Sequence, residues 1–169
     1  MTRSTRAKPH GPAKPADADP SRLVLRQFRQ IFNAVKTHFR QVESKAGLGG
    51  AQVWALGLIR EHPGIGVSEL ARRMDVHQST ASNLVRSLSD KSLIAASKDE
   101  ADRRVVQLTA LPAGARALRA TPGPFEGVLP DALQSLDPEL LDRLHADLAV
   151  LIDVLQVTDD DAQTPLAEL

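Results

Sequence analysis

The narrowest constraint on the fold of this chain is a break of only three residues. Two stretches with helical spacing, Val67 to Met74 and Gln78 to about Lys91, are separated by Asp75-Val76-His77 alone. Two short helices joined so tightly make a helix-turn-helix, in which the second helix stands across the first. Gly66 is a tolerable N-cap for the first helix, and Glu69 lies in its first turn, where the dipole favours an anion. Ala81, Leu84, Val85 and Leu88 fall on one side of the second helix and, with Leu70, Ala71, Met74 and Val76, are the expected small core of the pair. Directly after it, Leu93 to Ser97 and Val105 to Leu108 read as two short strands. The polar run Lys98 to Arg104 between them reads as an exposed hairpin tip, a wing.

The outward positions of the second helix carry the chemistry. Gln78, Ser79, Thr80, Ser82, Asn83 and Arg86 gather hydrogen-bonding side chains on its opening turns. A solvated helix surface favours Glu and Lys, whereas Ser, Thr and Asn cost helix propensity. That cost has a reason if the face reads base edges: Asn and Gln pair bidentately with adenine, Arg with guanine, and Ser or Thr with donors or acceptors. The helix N-terminus adds N–H groups suited to phosphate. At the wing, Lys98, Arg103 and Arg104 place cations suited to the negative potential of a narrow minor groove, and Asp102 is spaced to orient the Arg104 guanidinium.

Charge follows the same division. The chain is neutral overall, but residues 1–109 hold 18 Lys and Arg against 10 Asp and Glu, a balance of +8, and residues 110–169 hold 3 against 11, a balance of −8. A polyanion-facing half and a half that avoids polyanions fit this asymmetry. Residues 1–20 contain four prolines and four Lys or Arg, and are expected to form a disordered basic arm. Leu23, Val24, Phe28, Ile31, Phe32, Val35, Phe39 and Val42 then repeat at helical spacing, predicting a helix of roughly 22 residues, about 33 Å long, suited to reaching a partner subunit. A second helix, about Ala51 to His62, contains Trp54, expected in the core, and stops at Pro63-Gly64. Thr109 is placed to cap a further helix, while Pro112 and Pro122-Gly123-Pro124 divide Ala113 to Gln134 into at least two pieces. A last helix, about Pro138 to Gln156, carries Leu140, Leu141, Leu144, Leu148, Leu151, Ile152 and Leu155 on one face, before an acidic tail expected to fray after Thr158.

Several classes are disfavoured. With no cysteine there is no disulfide framework, thiol sensor or Cys-based zinc site. No long apolar run suggests a membrane span, and Met1 to Pro20 has charges where a signal peptide needs apolar residues, so a cytoplasmic location without membrane association is expected. Neither a nucleophile elbow nor a Gly-rich phosphate loop is present, and His10, His38, His62, His77 and His145 show no metal-binding spacing, so neither an enzyme nor a cofactor is expected.

Val67-Ser68-Glu69-Leu70-Ala71, His77 to Val85, and Asp102-Arg103-Arg104 before Val105 to Thr109 resemble the pattern of the MarR family of winged helix-turn-helix regulators. The resemblance implies a mostly α fold with a small two-stranded wing. Its expected organisation is an arm over 1–20, an N-terminal dimerisation helix over 21–48, the DNA-binding domain over 49–109, C-terminal dimerisation helices over 110–157 and an acidic tail over 158–169. It implies a homodimer that binds a pseudo-palindromic double-stranded DNA site and represses transcription, with Arg104 in the minor groove and Asp102 orienting it. Small aromatic or phenolic ligands are effectors in such families, although no residue here identifies one; regulation without a ligand and a protein-interaction module are the alternatives. The chain departs from the family pattern at His77, where Ser or Thr caps are common, at Asp75, where glycine is frequent, and at Pro122-Gly123-Pro124, where a long straight helix is usual.

Overall fold

The computed structural model describes residues 19–98, 106–121, 123–158 and 162–168. Its elements are α1 (Pro20–Ala46), α2 (Gly50–Glu61), α3 (Val67–Arg73), α4 (Gln78–Asp90), β1 (Ile94–Lys98), β2 (Val106–Ala110), α5 (Pro112–Arg119), α6 (Val128–Gln134), α7 (Pro138–Leu155) and a 3-10 turn at Leu166–Glu168. By its internal contacts the chain divides between Asn33 and Ala34.

Helix α1 is longer than its apolar spacing predicts, with 27 residues. Pro20 is already helical, because its missing N–H is one that an opening turn leaves unbonded anyway. Asp19 stands in front of it: Oδ1 accepts the Ser21 backbone N–H at 3.1 Å, and the Ser21 hydroxyl donates to Oδ2 at 2.8 Å. The expected arm therefore gives way to helix at Pro20, and residues 1–18 lie outside the described part. The stripe on α1 has two fates. Leu23, Val24, Ile31 and Phe32 are 44% to 56% exposed, with Phe28 stacked on Phe32 at 6.4 Å, whereas Val35, Phe39 and Val42 are buried.

From Ala34 onward the core is built around α2, whose Val53, Ala55, Leu56 and Ile59 are wholly inaccessible. Leu70, Met74, Leu84, Leu88, Ile94, Leu108 and Leu118 close around them. β1 and β2 pair antiparallel from Ile94 opposite Ala110 to Lys98 opposite Val106, one or two residues C-terminal of the expected strands. The base of this hairpin is tied to the end of α2: the Gly64 N–H donates to the Leu108 carbonyl at 2.8 Å, and the Leu108 N–H to the Ile65 carbonyl at 3.0 Å.

Thr109 does not cap a helix. It pairs with Ala95 inside β2, the extra ladder bonds extending the strand past the expected end, and Leu111 precedes α5 without a side-chain cap. Pro112 starts α5 at its first position rather than breaking it. Of the expected interruption at Pro122-Gly123-Pro124, Gly123 and Pro124 fall between α5 and α6, and Pro122 lies outside the described residues. Helix α7 opens on Asp137, whose carboxylate accepts the Glu139 N–H at 2.9 Å, and it has no buried residue. The tail was expected to fray beyond Thr158, but Pro165 is buried and the Leu166–Glu168 turn packs on α2. Gly50 explains this: a methyl group there would collide with Phe39 and with Ala167, so the bare backbone leaves a seat that the tail fills.

Candidate nucleic-acid interface

The candidate surface depends on how α4 is set against α3. Asp75 occupies the left-handed region at φ 50, a conformation that Asp tolerates better than most residues. The Val76 N–H can then turn back to the Ala71 carbonyl at 3.1 Å. Asp75 thus does the work of the glycine frequent at this point. Val76 is buried with Leu70, Ala71, Met74, Ala81, Leu84 and Leu88, as the spacing predicts; Val85 is only half-buried, at the edge of that core. His77 is extended and accepts the Ala81 N–H on its carbonyl at 3.1 Å, but its side chain makes no cap. The first-turn N–H groups of α4 are therefore left without a side-chain acceptor, as an anion site requires.

Successive residues on a helix turn by about 100°. On that count Gln78, Ser82, Arg86, Ser79 and Asn83 lie within an arc of roughly 140°, with Ala81, Leu84 and Leu88 centred on the opposite side. Gln78, Ser79, Asn83 and Arg86 are exposed and Ser82 is half-buried. The Ser82 hydroxyl donates to the Gln78 carbonyl at 2.7 Å, so it offers an outside partner its lone pairs rather than its proton. Thr80 is half-buried at the margin of the core-facing side and does not share the outward arc. At the wing, Lys98 ends β1 opposite Val106. Asp102, Arg103 and Arg104 lie outside the described residues.

Two polar groupings near this surface were not read from the sequence. On α3, Glu69 accepts Arg72 Nη2 at 2.6 Å and Arg73 Nε at 2.7 Å. Those two hydrogen bonds hold its carboxyl at about 2, well below the usual carboxylate range. Arg73 Nη1 also donates to His62 Nε2 at 3.0 Å. Two guanidiniums around one carboxylate leave a net positive charge beside the turn, and the Arg72 side chain is 72% exposed. The three- and four-residue spacings of Glu69, Arg72 and Arg73 are the signal that could have found this cluster. Gln52 of α2 forms the other: its Nε2 donates to Ser87 Oγ at 2.9 Å and its Oε1 accepts Lys91 Nζ at 3.0 Å, joining α2 to the far end of α4. No local spacing announces that contact. Among the described residues no three His, Asp or Glu are grouped to hold a metal, and no helix is long and apolar enough to cross a membrane.

Known proteins with this arrangement agree on its type. Residues 51–106 match the model of the MarR family. The transcriptional repressor MdtR of Bacillus subtilis is 31% identical over 96 residues, 57% of this chain and 61% of MdtR, so the match spans about three fifths of that relative's length. The structure of YusO from Bacillus subtilis superposes with a TM-score of 0.51 at 26% identity, covering 83% of this chain and 99% of YusO. The S. aureus MepR–DNA complex, at 20% identity and a TM-score of 0.54 over 82% of this chain and 99% of MepR, shares the fold. The residues that match the MarR-family model, 51–106, fold as α2, the α3–α4 helix-turn-helix and the start of the β-hairpin.

Proposed function

We propose that this chain is a sequence-specific double-stranded DNA-binding transcription regulator, working as a homodimer and repressing by covering its site. The observation that carries the reading is the outward arc of α4: Gln78, Ser79, Asn83 and Arg86 are exposed together beside an uncapped helix N-terminus, on a fold of the MarR type. In the proposed complex these side chains, with Ser82 accepting, read base edges in the major groove, and Thr80 supports the end of that row. Lys98, Arg103 and Arg104 reach the flanking minor groove, with Asp102 orienting Arg104, and Arg72 adds a backbone contact from α3. The repressor named among the relatives supports the direction of control.

Dimerisation is supported by apolar surface. On α7, Leu151, Ile152, Val154 and Leu155 are 37% to 74% exposed, more than a helix with no other cover keeps in water. In a two-fold dimer the two copies of α4 enter successive major grooves about 34 Å apart, so the site has two half-sites one helical turn apart.

The test is selection of bound sequences from a random duplex pool, followed by anisotropy titrations over a salt series. Asn83→Ala should change the preferred base at one position of each half-site, at about 1–3 kcal/mol per lost bidentate pair. Arg104→Ala should reduce the salt slope by about one phosphate equivalent per subunit. Wild-type affinity, base preference and salt slope in both variants would overturn the assignment.

A further inference from the structure

The break between α5 and α6 builds a second feature, away from α4. Trp54, Gly57, Leu58 and Glu61 of α2 and Gly123, Pro124, Phe125 and Glu126 of the connecting segment line a cleft of about 330 Å³. That volume lies within the range of small-molecule sites. The cleft is formed in the chain as it stands, because its outer wall is anchored twice. His38 is buried on α1, and its Nε2–H donates to the Pro124 carbonyl at 2.8 Å. The Phe125 ring lies so close to Gly57 that a methyl group there would meet it at 2.9 Å. A glycine inside a helix costs about 1 kcal/mol relative to alanine, and the approach of Phe125 is what this one permits.

The chemistry of the lining selects by charge. Trp54 and Phe125 are only half-buried and offer aromatic surface, and Glu61 and Glu126 are exposed at the same cleft with no ion-pair partner among the described residues. Arg60 places its guanidinium 5.7 Å from the Phe125 ring centre but does not line the cleft. Aromatic surface attracts cations, and unpaired carboxylates attract cations and repel anions.

We propose that this cleft binds a planar aromatic monocation. The class differs from the phenolic or anionic effectors that the family resemblance suggests, and the site does not rest on the DNA-binding reading, because its test uses the protein alone. Trp54 is the only tryptophan of the chain, so its fluorescence reports directly on the cleft.

N-methylquinolinium, with quinoline and 1-naphthoate as neutral and anionic counterparts, is titrated into the full chain by Trp54 fluorescence and by calorimetry. The cation should give a saturable change in both, and 1-naphthoate should bind about tenfold more weakly or worse. Glu61→Gln and Glu126→Gln, both on exposed side chains, should each raise the Kd about threefold, and Phe125→Leu about fivefold. Equal affinity for cation and anion, cation binding unchanged in the Glu61→Gln/Glu126→Gln double variant, or no saturable change would overturn the proposal. DNA titrations of the same variants read the regulator function separately.

Discussion

Gln52 offers a sharp test of how α4 is held. Its side-chain amide is half-buried between α2 and α4, with Ser87 accepting at 2.9 Å and Lys91 donating at 3.0 Å. A neutral hydrogen bond of this kind contributes about 1 kcal/mol net, and the exposed lysine adds about 0.5 kcal/mol after screening. Gln52→Ala removes both, and alanine's better helix propensity returns about 0.4 kcal/mol, leaving a destabilisation of about 1 kcal/mol. Ser87→Ala removes one partner and should cost about 0.7 kcal/mol. Because both substitutions delete the same bond, the double variant should cost less than their sum by that bond's value, about 1 kcal/mol. Urea unfolding followed by circular dichroism, at one fixed protein concentration so that association contributes equally, measures all four proteins. DNA titration supplies a second reading: affinity for the selected site should fall in Gln52→Ala while the salt slope stays unchanged, since no phosphate contact is removed. Strict additivity of the two substitutions, within about 0.3 kcal/mol, would show that the contact does not fix α4 and would refute the argument.

Two further outcomes follow from the structure. Glu69 has its folded-state carboxyl lowered from 4.5 to about 2, so the stability it supplies is present above pH 4.5 and lost as pH falls towards 2. The difference in urea midpoint between the native chain and Glu69→Gln should shrink across that window and at high salt; a difference that is constant from pH 6 to pH 2 would remove Arg72 and Arg73 as its cause. Leu151 and Leu155 are 37% and 62% exposed on α7. Replacing both with Glu should weaken the proposed homodimer about a hundredfold or more while leaving helix content intact, and sedimentation equilibrium that still returns a dimer mass would place the interface elsewhere.

What the sequence made legible was what neighbouring residues decide together. The turn at Asp75-Val76-His77, the opposite faces of α4 and the interruption at Pro122-Gly123-Pro124 all follow from spacing, proline and turn chemistry within a few residues. Thr109 was misplaced for a related reason: a threonine three residues ahead of a proline suits a helix cap and a strand end equally, and only pairing with Ala95 decides between them. The contacts that escaped notice join distant parts of the chain. Gln52 meets Ser87 across 35 positions and His38 meets Pro124 across 86, and nothing in either neighbourhood marks its partner. The docking of the tail escaped for the same reason, since Gly50 reads locally as a turn residue ahead of a helix and only the fold brings Ala167 to it.

Helix α2 shows where reading by periodicity stops. Its buried residues, Gly50, Ala51, Val53, Ala55, Leu56, Gly57 and Ile59, are spread around the axis, so the pattern identifies a central helix without saying which side meets which neighbour. Turning about 100° per residue from Gln52 places Gly57, Glu61, Trp54 and Leu58 between roughly 140° and 240°. The side that lines the cleft is therefore opposite the side that holds Ser87 and Lys91. A polar residue at 52 and a glycine at 57 look like two unrelated weak points in an apolar helix. In the fold each matches a specific neighbour: Gln52 satisfies two polar groups of the α4 end, and Gly57 admits the Phe125 ring. The positions that depart most from helix propensity and apolar patterning are thus the ones where tertiary contact overrides both, and in an apolar helix of this kind such departures are the place to look for long-range contacts.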